Sequence, residues 1–582
     1  MNKFILFLTV IFFITCSHSF DQTLIVYPTK THKGAGITIN QNNTEKVRYT
    51  PTAIVHGSYN SMHLPYPIIF IHGLIGSAES WTNFRNFAVQ EGWSYGGKLT
   101  FCLNEDYDNN TEDITSSNSK EIKSFIPSNL PPADFYCITF NTDTDGTTYS
   151  SDTATKTLSS SAAIIKGGKA IGMAINAVLK ATGKKKVILF CHSMGGLNAR
   201  AYIQYPEFWQ ADGQHHIAKL TTSGTPHGGS NVWGGPILDY EEEVDEQSDA
   251  VRDTRTTYSN SGAPGVFLFG GIENATVMND SHFFNFHSFD VNCNGKIGDT
   301  IVGLNQRPMP ADIDYTCIVS HYNVDITDSC GDYLVLCQNA NIKNFYPSLI
   351  SETFMVDTFH DYMPSLIQAD YLGLDEPDVP GLSYKVDTNI VYNGYITIQA
   401  PDARYKRDFD NYSFTVDQQG MANVHIGFIP VDTFGFAVTD LSNGSIIFAD
   451  STIGDTSLTS PSFFLPPGNY NLKIWGDPND ISWKSSYDFI IKFKPNGIQT
   501  NLITYNDDNS LNIFPNPVNN ILTIKTFQRS NINIYNIQGQ LMKTIAVKEG
   551  KTTLTVCELP SGIYYVRSET ANGVTVRKFI KD

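Results

Sequence analysis

Val187-Ile188-Leu189-Phe190-Cys191-His192-Ser193-Met194-Gly195-Gly196 is the stretch on which the reading of the whole chain turns. An apolar, partly β-branched run ends in a tight turn that carries a serine. Leu197 through Tyr202 follow, with Ala199, Arg200 and Ala201 as good helix formers. The pattern passes from buried strand to helix within one turn. A serine on so sharp a turn presents its hydroxyl outward, and small neighbours avoid a clash. The spacing is that of G-x-S-x-G, with Gly195 as the second glycine and Cys191 in place of the first. A small side chain is tolerated there. Ser193 is therefore the candidate nucleophile. A chance serine in a turn would explain neither the strand before it nor the helix after it.

A second stretch agrees. Pro67-Ile68-Ile69-Phe70-Ile71-His72-Gly73-Leu74-Ile75-Gly76 reads as a buried strand followed by a glycine-bearing loop. Where such a loop faces a nucleophile turn, an oxyanion hole takes one backbone N–H from the loop and one from the residue after the serine. That nominates Leu74 and Met194 as the donors. His72 reads as a loop-shaping residue.

His72-Gly73, the turn at Ser193, and Ser223-Gly224-Thr225-Pro226-His227-Gly228-Gly229-Ser230 together resemble bacterial triacylglycerol lipases and related lipase-like α/β hydrolases, over residues from about 65 to 375. The resemblance implies an α/β-hydrolase domain and a serine carboxylic ester hydrolase, a lipase or esterase acting on lipid-like esters. It also implies the chain order nucleophile, acid, histidine. His360, in Val356-Asp357-Thr358-Phe359-His360-Asp361, is the candidate histidine, with His321 as the runner-up. Asp332, in Gly331-Asp332-Tyr333-Leu334-Val335, is the candidate acid, with Asp325 and Asp328 still open. His227 is read as structural. In this arrangement His360 takes the Ser193 proton, Asp332 fixes the imidazole tautomer, an acyl-enzyme forms, and no cofactor is required. An amidase or acyltransferase would use the same residues. A rival of a different class is a surface binding or adhesion protein whose hydrolase domain is catalytically silent.

The chain has 582 residues, too many for one core, so more than one domain is expected. Its formal net charge of -18 argues against a nucleic-acid partner, which calls for clustered Lys and Arg. Residues 1–19 read as a cleaved export signal: Lys3, an apolar run from Phe4 to Ile14, then Ser17-His18-Ser19. Lipid modification of Cys16 is the less favoured reading. An exported chain meets an oxidising compartment, so disulfides are plausible. Cys102 with Cys137 is one guess, and pairings among Cys293, Cys317, Cys330 and Cys337 are others. Cys191 and Cys557 read as buried singles.

Residues 20–382 alternate strand-like and helix-like runs and form the expected catalytic α/β domain. Leu374-Asp375-Glu376-Pro377-Asp378-Val379-Pro380-Gly381 reads as a linker. Residues 383–500 are all strand in pattern, with Tyr412, Phe414 and Val416, then Val424, Ile426 and Phe428, then Tyr470, Leu472 and Ile474 in alternation. They predict a β-sandwich. Residues 508–582 predict a second, smaller β domain.

A lid-like insertion spans 231–314. It opens on an acidic helix-like stretch, Glu241 to Asp253, then turns apolar and aromatic with Val266, Phe267, Leu268, Phe269, Phe283, Phe284, Phe286 and Phe289. Such a composition suits a lid over a lipid cleft or the core of an enlarged domain. Within it, Asp290-Val291-Asn292-Cys293-Asn294-Gly295-Lys296-Ile297-Gly298-Asp299 follows the D-x-N-x-N-G start of a calcium loop. Asp290, Asn292 and Asn294, the Lys296 carbonyl and Asp299 are candidate ligands of a structural calcium. Ile301 stands where the twelfth-position acid is expected. The alternative is a solvated Asn-rich turn.

The sandwich resembles the bacterial pre-peptidase C-terminal type of module, through Asp408, Asp410, Asn411, Tyr412 and Phe414 and the run Leu465 to Ile474. That implies substrate or surface binding, or a spacer. Ile513-Phe514-Pro515-Asn516-Pro517-Val518, Ile534-Tyr535-Asn536-Ile537-Gln538-Gly539-Gln540, Leu559-Pro560-Ser561-Gly562-Ile563-Tyr564-Tyr565-Val566 and Arg577-Lys578-Phe579-Ile580 resemble the type IX secretion C-terminal sorting domain. This implies a Gram-negative host of the Bacteroidetes kind, recognition by the type IX machinery, a secreted or cell-surface destination, and removal of the tail.

Overall fold

The computed structural model describes residues 64–104, 122–143, 157–158, 161–231, 246–258, 262–278, 286, 288–322, 330–397, 408–431, 433–476, 485–495, 511–537, 540–570 and 573–582. The export signal, Glu241 to Glu243, Phe283, Phe284, Asp325 and Asp328 lie outside them. The N-terminal strands are, in chain order, β1 Ile68–Ile71, β2 Tyr95–Asn104, β3 Lys123–Ser124, β4 Phe135–Asp143, β5 Thr157–Leu158, β6 Val187–His192, β7 Ile217–Ser223, β8 Gly271–Ile272, β9 Thr300–Ile301, β10 Asp314–Ser320 and β11 Ser351–Val356. All but β8 and β9, which pair with each other, build one sheet. Its order is β11-β10-β7-β6-β1-β4-β2-β3, with β5 on β4. The pairs from β11 across to β2 are all parallel. Parallel strands are buried on both faces. β1 and β6 accordingly show unbroken burial and near-continuous apolar sequence.

Alternate side chains of β1 and β6 serve two cores. Ile69, Ile71, Leu189 and Cys191 pack on α2 (Ile164–Thr182) and α3 (Met194–Gln204). Ile68, Phe70, Ile188 and Phe190 pack on Trp81, Phe84 and Phe87 around α1 (Thr82–Gln90). This is the α/β-hydrolase architecture, and its strand order places β6 and its turn mid-sheet.

The same second core continues into the sandwich. One sheet contains Tyr384–Lys385, Phe409–Val416, Thr433–Asp440, Ile446–Ile453 and Gly468–Gly476; the other is built on Val391–Ile396, Ser485–Pro495 and Gly420–Gly427. Tyr412, Phe414, Val424, Ile426, Leu472 and Ile474 face inward, as their alternation predicts, whereas Phe428 is 56% exposed. The α/β domain and the sandwich form one compact unit. The linker reading of residues 374–381 is thereby corrected: Leu374, Asp375 and Glu376 are buried. Tyr66 packs its ring 5.4 Å from Tyr384 and accepts the Lys385 backbone N–H at 3.0 Å.

The second unit, from Pro495, contains a three-stranded and a four-stranded antiparallel sheet between Leu511 and Lys581. Leu522, Ile524, Ile532, Ile534, Val566 and Phe579 fill its core.

Among the described residues the disulfide is Cys330–Cys337. Cys102 and Cys137 are buried thiols. Register explains this: Cys102 stands opposite Asn141 and Cys137 opposite Lys98, four rungs apart, or about 13 Å along the strands. Cys293 and Cys317 are likewise thiols. Cys191 is buried as read, and Cys557 is exposed, contrary to the reading.

In the insertion, the acidic stretch yields a short helix, Asp249–Thr254. Ala163 offers no side-chain cap to α2, and Asp253 accepts the Ile164 N–H at 3.0 Å instead. Val266, Phe267, Leu268, Phe286 and Phe289 are buried with Ile164, Met194 and Leu197. These aromatics are core packed against α3.

Candidate active site

The turn after β6 places Ser193 at φ 52° and ψ -130°, a region that L residues enter only under strain. The Ser193 N–H donates to the Ser223 carbonyl at 2.8 Å, and the Gly196 N–H to the Ser193 carbonyl at 3.0 Å. The turn is thus clamped between β7 and α3. Gly195 is demanded by close approach, since a Cβ there would lie 2.5 Å from the His72 carbonyl oxygen.

His360 follows β11 and begins a 3-10 turn, His360–Ser365. Its Nε2 lies 2.7 Å from Ser193 Oγ. Its Nδ1 lies 2.8 Å from Asp332 Oδ2. The other Asp332 oxygen accepts the backbone N–H groups of Leu334 at 3.0 Å and Val335 at 2.7 Å. The His360 N–H donates to the Asp332 carbonyl at 3.0 Å. The Cys330–Cys337 disulfide spans the turn that carries Asp332. Ser193, His360 and Asp332 therefore form one hydrogen-bonded line, with Asp332 and His360 buried and Ser193 half-buried. A serine hydroxyl, an imidazole acceptor and a carboxylate on the far nitrogen are the parts from which a nucleophile can be activated.

Met194 opens α3 directly after the serine. Leu74 follows Gly73, whose Cβ position would stand 3.2 Å from Ser193 Oγ. The loop at Gly73 thus comes close to Ser193, and Met194 follows it in the chain. His72 is fully buried. Its Nδ1–H donates to the Gly73 carbonyl at 2.7 Å while Nε2 accepts the Phe140 N–H at 2.9 Å. Burial pushes its pKa down to about 4. A neutral imidazole bonded at both nitrogens braces the loop. His227 is also buried, between Arg200 and Thr222, and burial holds it well below the ordinary histidine range. His321 bonds the Val356 carbonyl at 2.9 Å and takes no part in the line.

Sequence reading missed three features. Gly224 adopts φ +60°, and a Cβ there would lie 3.1 Å from Asp332 Oδ2 and 3.3 Å from His360 Cε1. His192 donates its Nε2–H to the His360 carbonyl, 3.0 Å away. Tyr322, Tyr333, Phe359 and Tyr362 form a ring cluster beside the site: Tyr322 and Tyr333 stand 4.2 Å and 5.1 Å from Phe359, and Phe359 stands 6.2 Å from Tyr362. Tyr333 is 41% and Tyr362 62% exposed. Only the adjacency of Tyr333 to Asp332 and of Phe359 to His360 hinted at this.

In the 290–299 loop, Asp290 accepts the N–H groups of Asn294 at 3.1 Å and Gly295 at 2.7 Å. Asn292 and Asn294 both donate to Asp299. From outside the loop, Glu273 accepts the N–H groups of Val291 and Asp299. Lys296 donates its backbone N–H to Asn294 at 2.9 Å.

Residues 65–294 match the model of the PGAP1-like alpha/beta domain. Residues 512–582 match that of the secretion system C-terminal sorting domain. The chain carries both domains. The first supports a hydrolase, and the second indicates export, with attachment to the cell surface or secretion. No curated protein matches the sequence. Among solved structures, a Listeria innocua protein is 14% identical, with 54% of this chain and 95% of that one covered and a TM-score of 0.30. The pre-peptidase C-terminal domain of a Bacillus anthracis collagenase is 14% identical over 19% of this chain and 92% of its own, with a TM-score of 0.15. A lipase-esterase related protein from Clostridium acetobutylicum is 11% identical over 53% of this chain and 92% of its own, with a TM-score of 0.24.

Proposed function

We propose that the protein is an exported serine carboxylic ester hydrolase acting on lipid-like esters. The observation that carries the reading is the line from Ser193 Oγ through His360 to Asp332, at 2.7 Å and 2.8 Å. His360 removes the Ser193 proton as Oγ attacks the ester carbonyl. Asp332 holds the Nδ1–H tautomer and stabilises the imidazolium. The N–H groups of Leu74 and Met194 receive the oxyanion. His360 then protonates the leaving alcohol, and water releases the acyl group by the reverse path. The exposed rings of Tyr333, Phe359 and Tyr362 beside His360 offer an apolar approach for an acyl chain. The type IX secretion machinery is the partner that the tail addresses.

The test is a panel of p-nitrophenyl esters of rising chain length, with emulsified triglyceride alongside. Ser193→Ala should abolish hydrolysis with the melting temperature kept, and a fluorophosphonate probe should label Ser193. Labelling at another residue, or activity in the variant, would overturn the assignment. A folded wild-type protein that neither hydrolyses esters nor takes the label would favour a silent binding protein.

The proposal extends to a structural calcium at the 290–299 loop. Asp290, Asn292, Asn294 and Asp299 bring their side-chain oxygens into one turn, and the Lys296 carbonyl is the remaining donor. Chelation should lower the melting temperature and Asp290→Ala should abolish that part of the response, with ester turnover unchanged.

A further inference from the structure

A second cluster lies far from Ser193 in sequence and in chemistry. Asp375 follows the last helix of the α/β domain, Ile367–Leu372. Asp408 and Asp410 stand at the start of the sandwich strand Phe409–Val416. One carboxylate oxygen of each lies within 4.8 Å of the others, and all three residues are buried. Their exposures are 3%, 2% and 0%. Oδ1 of Asp375, of Asp408 and of Asp410 each has no hydrogen-bond partner.

The remaining oxygens and neighbours show that the pocket is built. The Thr397 N–H donates to Asp408 Oδ2 at 2.5 Å, and the Tyr487 hydroxyl donates to Asp410 Oδ2. Beside them the Tyr412 hydroxyl donates to Glu376 at 3.0 Å. The carboxylates of Asp408 and Asp410 are thus each held from outside through Oδ2, and one oxygen of each of the three residues lies within 4.8 Å of the others. Lys219 is committed to Asp314 at 2.5 Å.

An unpaired buried carboxylate costs several kcal/mol, and three sharing one point repel. Protonation is one relief, and burial does push all three carboxyls well above the usual range. Protonation would turn one or two of these carboxyls into donors within the cluster, whereas a cation at its centre would engage all three at once. An all-oxygen, anionic, buried donor set is the chemistry of a hard divalent cation, and a cage of several carboxylates suits Ca²⁺ better than the water-retaining Mg²⁺.

We infer that Asp375, Asp408 and Asp410 form a calcium site that ties the α/β domain to the sandwich. The ion bridges ligands from both sides of the junction, so its effect is on cohesion of the unit, and Ser193 chemistry proceeds without it.

The experiment uses the full chain, stripped with chelator and melted with and without CaCl2. At a hundredfold excess over Kd, mass action on a unit of this size should raise the melting temperature by about 3 °C. That rise should persist in Asp290→Ala, which removes the loop site, and vanish in Asp290→Ala/Asp408→Asn. Ester turnover should be the same in both. Titration calorimetry of Asp290→Ala should find one Ca²⁺ per chain. No binding in Asp290→Ala, or an undiminished shift after Asp408→Asn, would overturn the site. A chelated Asp408→Asn protein that is more stable than wild type and blind to Ca²⁺, while Asp290→Ala is equally blind, would show shared protons in place of a metal.

Discussion

Replacing Asp332 by Asn changes almost no volume, yet the local donors fix its consequence. In the native site Oδ1 accepts two backbone N–H groups, at 3.0 Å and 2.7 Å, and Oδ2 faces His360 Nδ1 at 2.8 Å. An asparagine has one acceptor atom. Facing its NH2 to Leu334 and Val335 would set donor against donor twice inside a buried turn, at about 1–3 kcal/mol for each unsatisfied group. The amide oxygen therefore keeps the turn, and its NH2 faces His360. The imidazole must then accept at Nδ1 and carry its proton on Nε2, the atom 2.7 Å from Ser193 Oγ. That tautomer cannot take the serine proton. Loss of the base in this way is worth on the order of 10³–10⁴ in kcat, or about 4–5.5 kcal/mol of barrier. The assay is p-nitrophenyl butyrate hydrolysis under saturation, with fluorophosphonate labelling rate as an independent readout of nucleophile activation. Melting temperature should stay within a few degrees. Activity within tenfold of wild type would refute the reasoning and return the acid to Asp325 or Asp328.

Gly224→Ala should lower kcat by about 10–100-fold, because the new methyl group would stand 2.7 Å from Met363 Sδ, 3.1 Å from Asp332 Oδ2 and 3.3 Å from His360 Cε1 and so shift the imidazole from the serine; steady-state kinetics should show kcat falling more than KM rises. It should also destabilise by about 1–2 kcal/mol through the positive φ, read by urea denaturation. His72 titrates near 4 when folded and near 6.5 when free. The unfolded chain therefore takes up its proton first, and the stability that neutral His72 contributes is present above about 6.5 and lost as pH falls toward 4. The stability gap between wild type and His72→Gln should accordingly narrow from pH 7 to pH 4.5 in parallel denaturant titrations. Deleting residues from 508 onward should leave purified enzyme active and trap it in the periplasm of its host; normal export of the deletion would remove the sorting role.

The elbow was legible because local sequence sets it: a run of apolar residues needs a buried strand, and Gly195 follows a serine at the spacing of a tight turn. The pairing of Asp332 with His360 was legible only through the chain order that the resemblance implies. Other features were hidden for physical reasons. Gly224 matters through atoms supplied by residues more than a hundred positions away. The ring cluster is dispersed over Tyr322, Tyr333, Phe359 and Tyr362, and no periodicity joins them. Asp375-Glu376-Pro377-Asp378 has the composition of a solvated turn, and burial of acidic side chains is a property of their neighbours. Cys102 and Cys137 suggested a pair by count, and strand register separates them.

The continuity of one apolar core through the α/β sheet and the sandwich bears on how such a chain can be recombined. A gene fusion that swapped the sandwich for another module at residue 383 would bare Tyr66 and Trp93, which pack on Tyr384 and Tyr395. The product would be sticky before it was inactive. The segment that can be inherited or grafted as a cassette is therefore the pair together, residues 64–494, whereas the tail from Pro495 forms its own compact unit and can be exchanged between unrelated cargo.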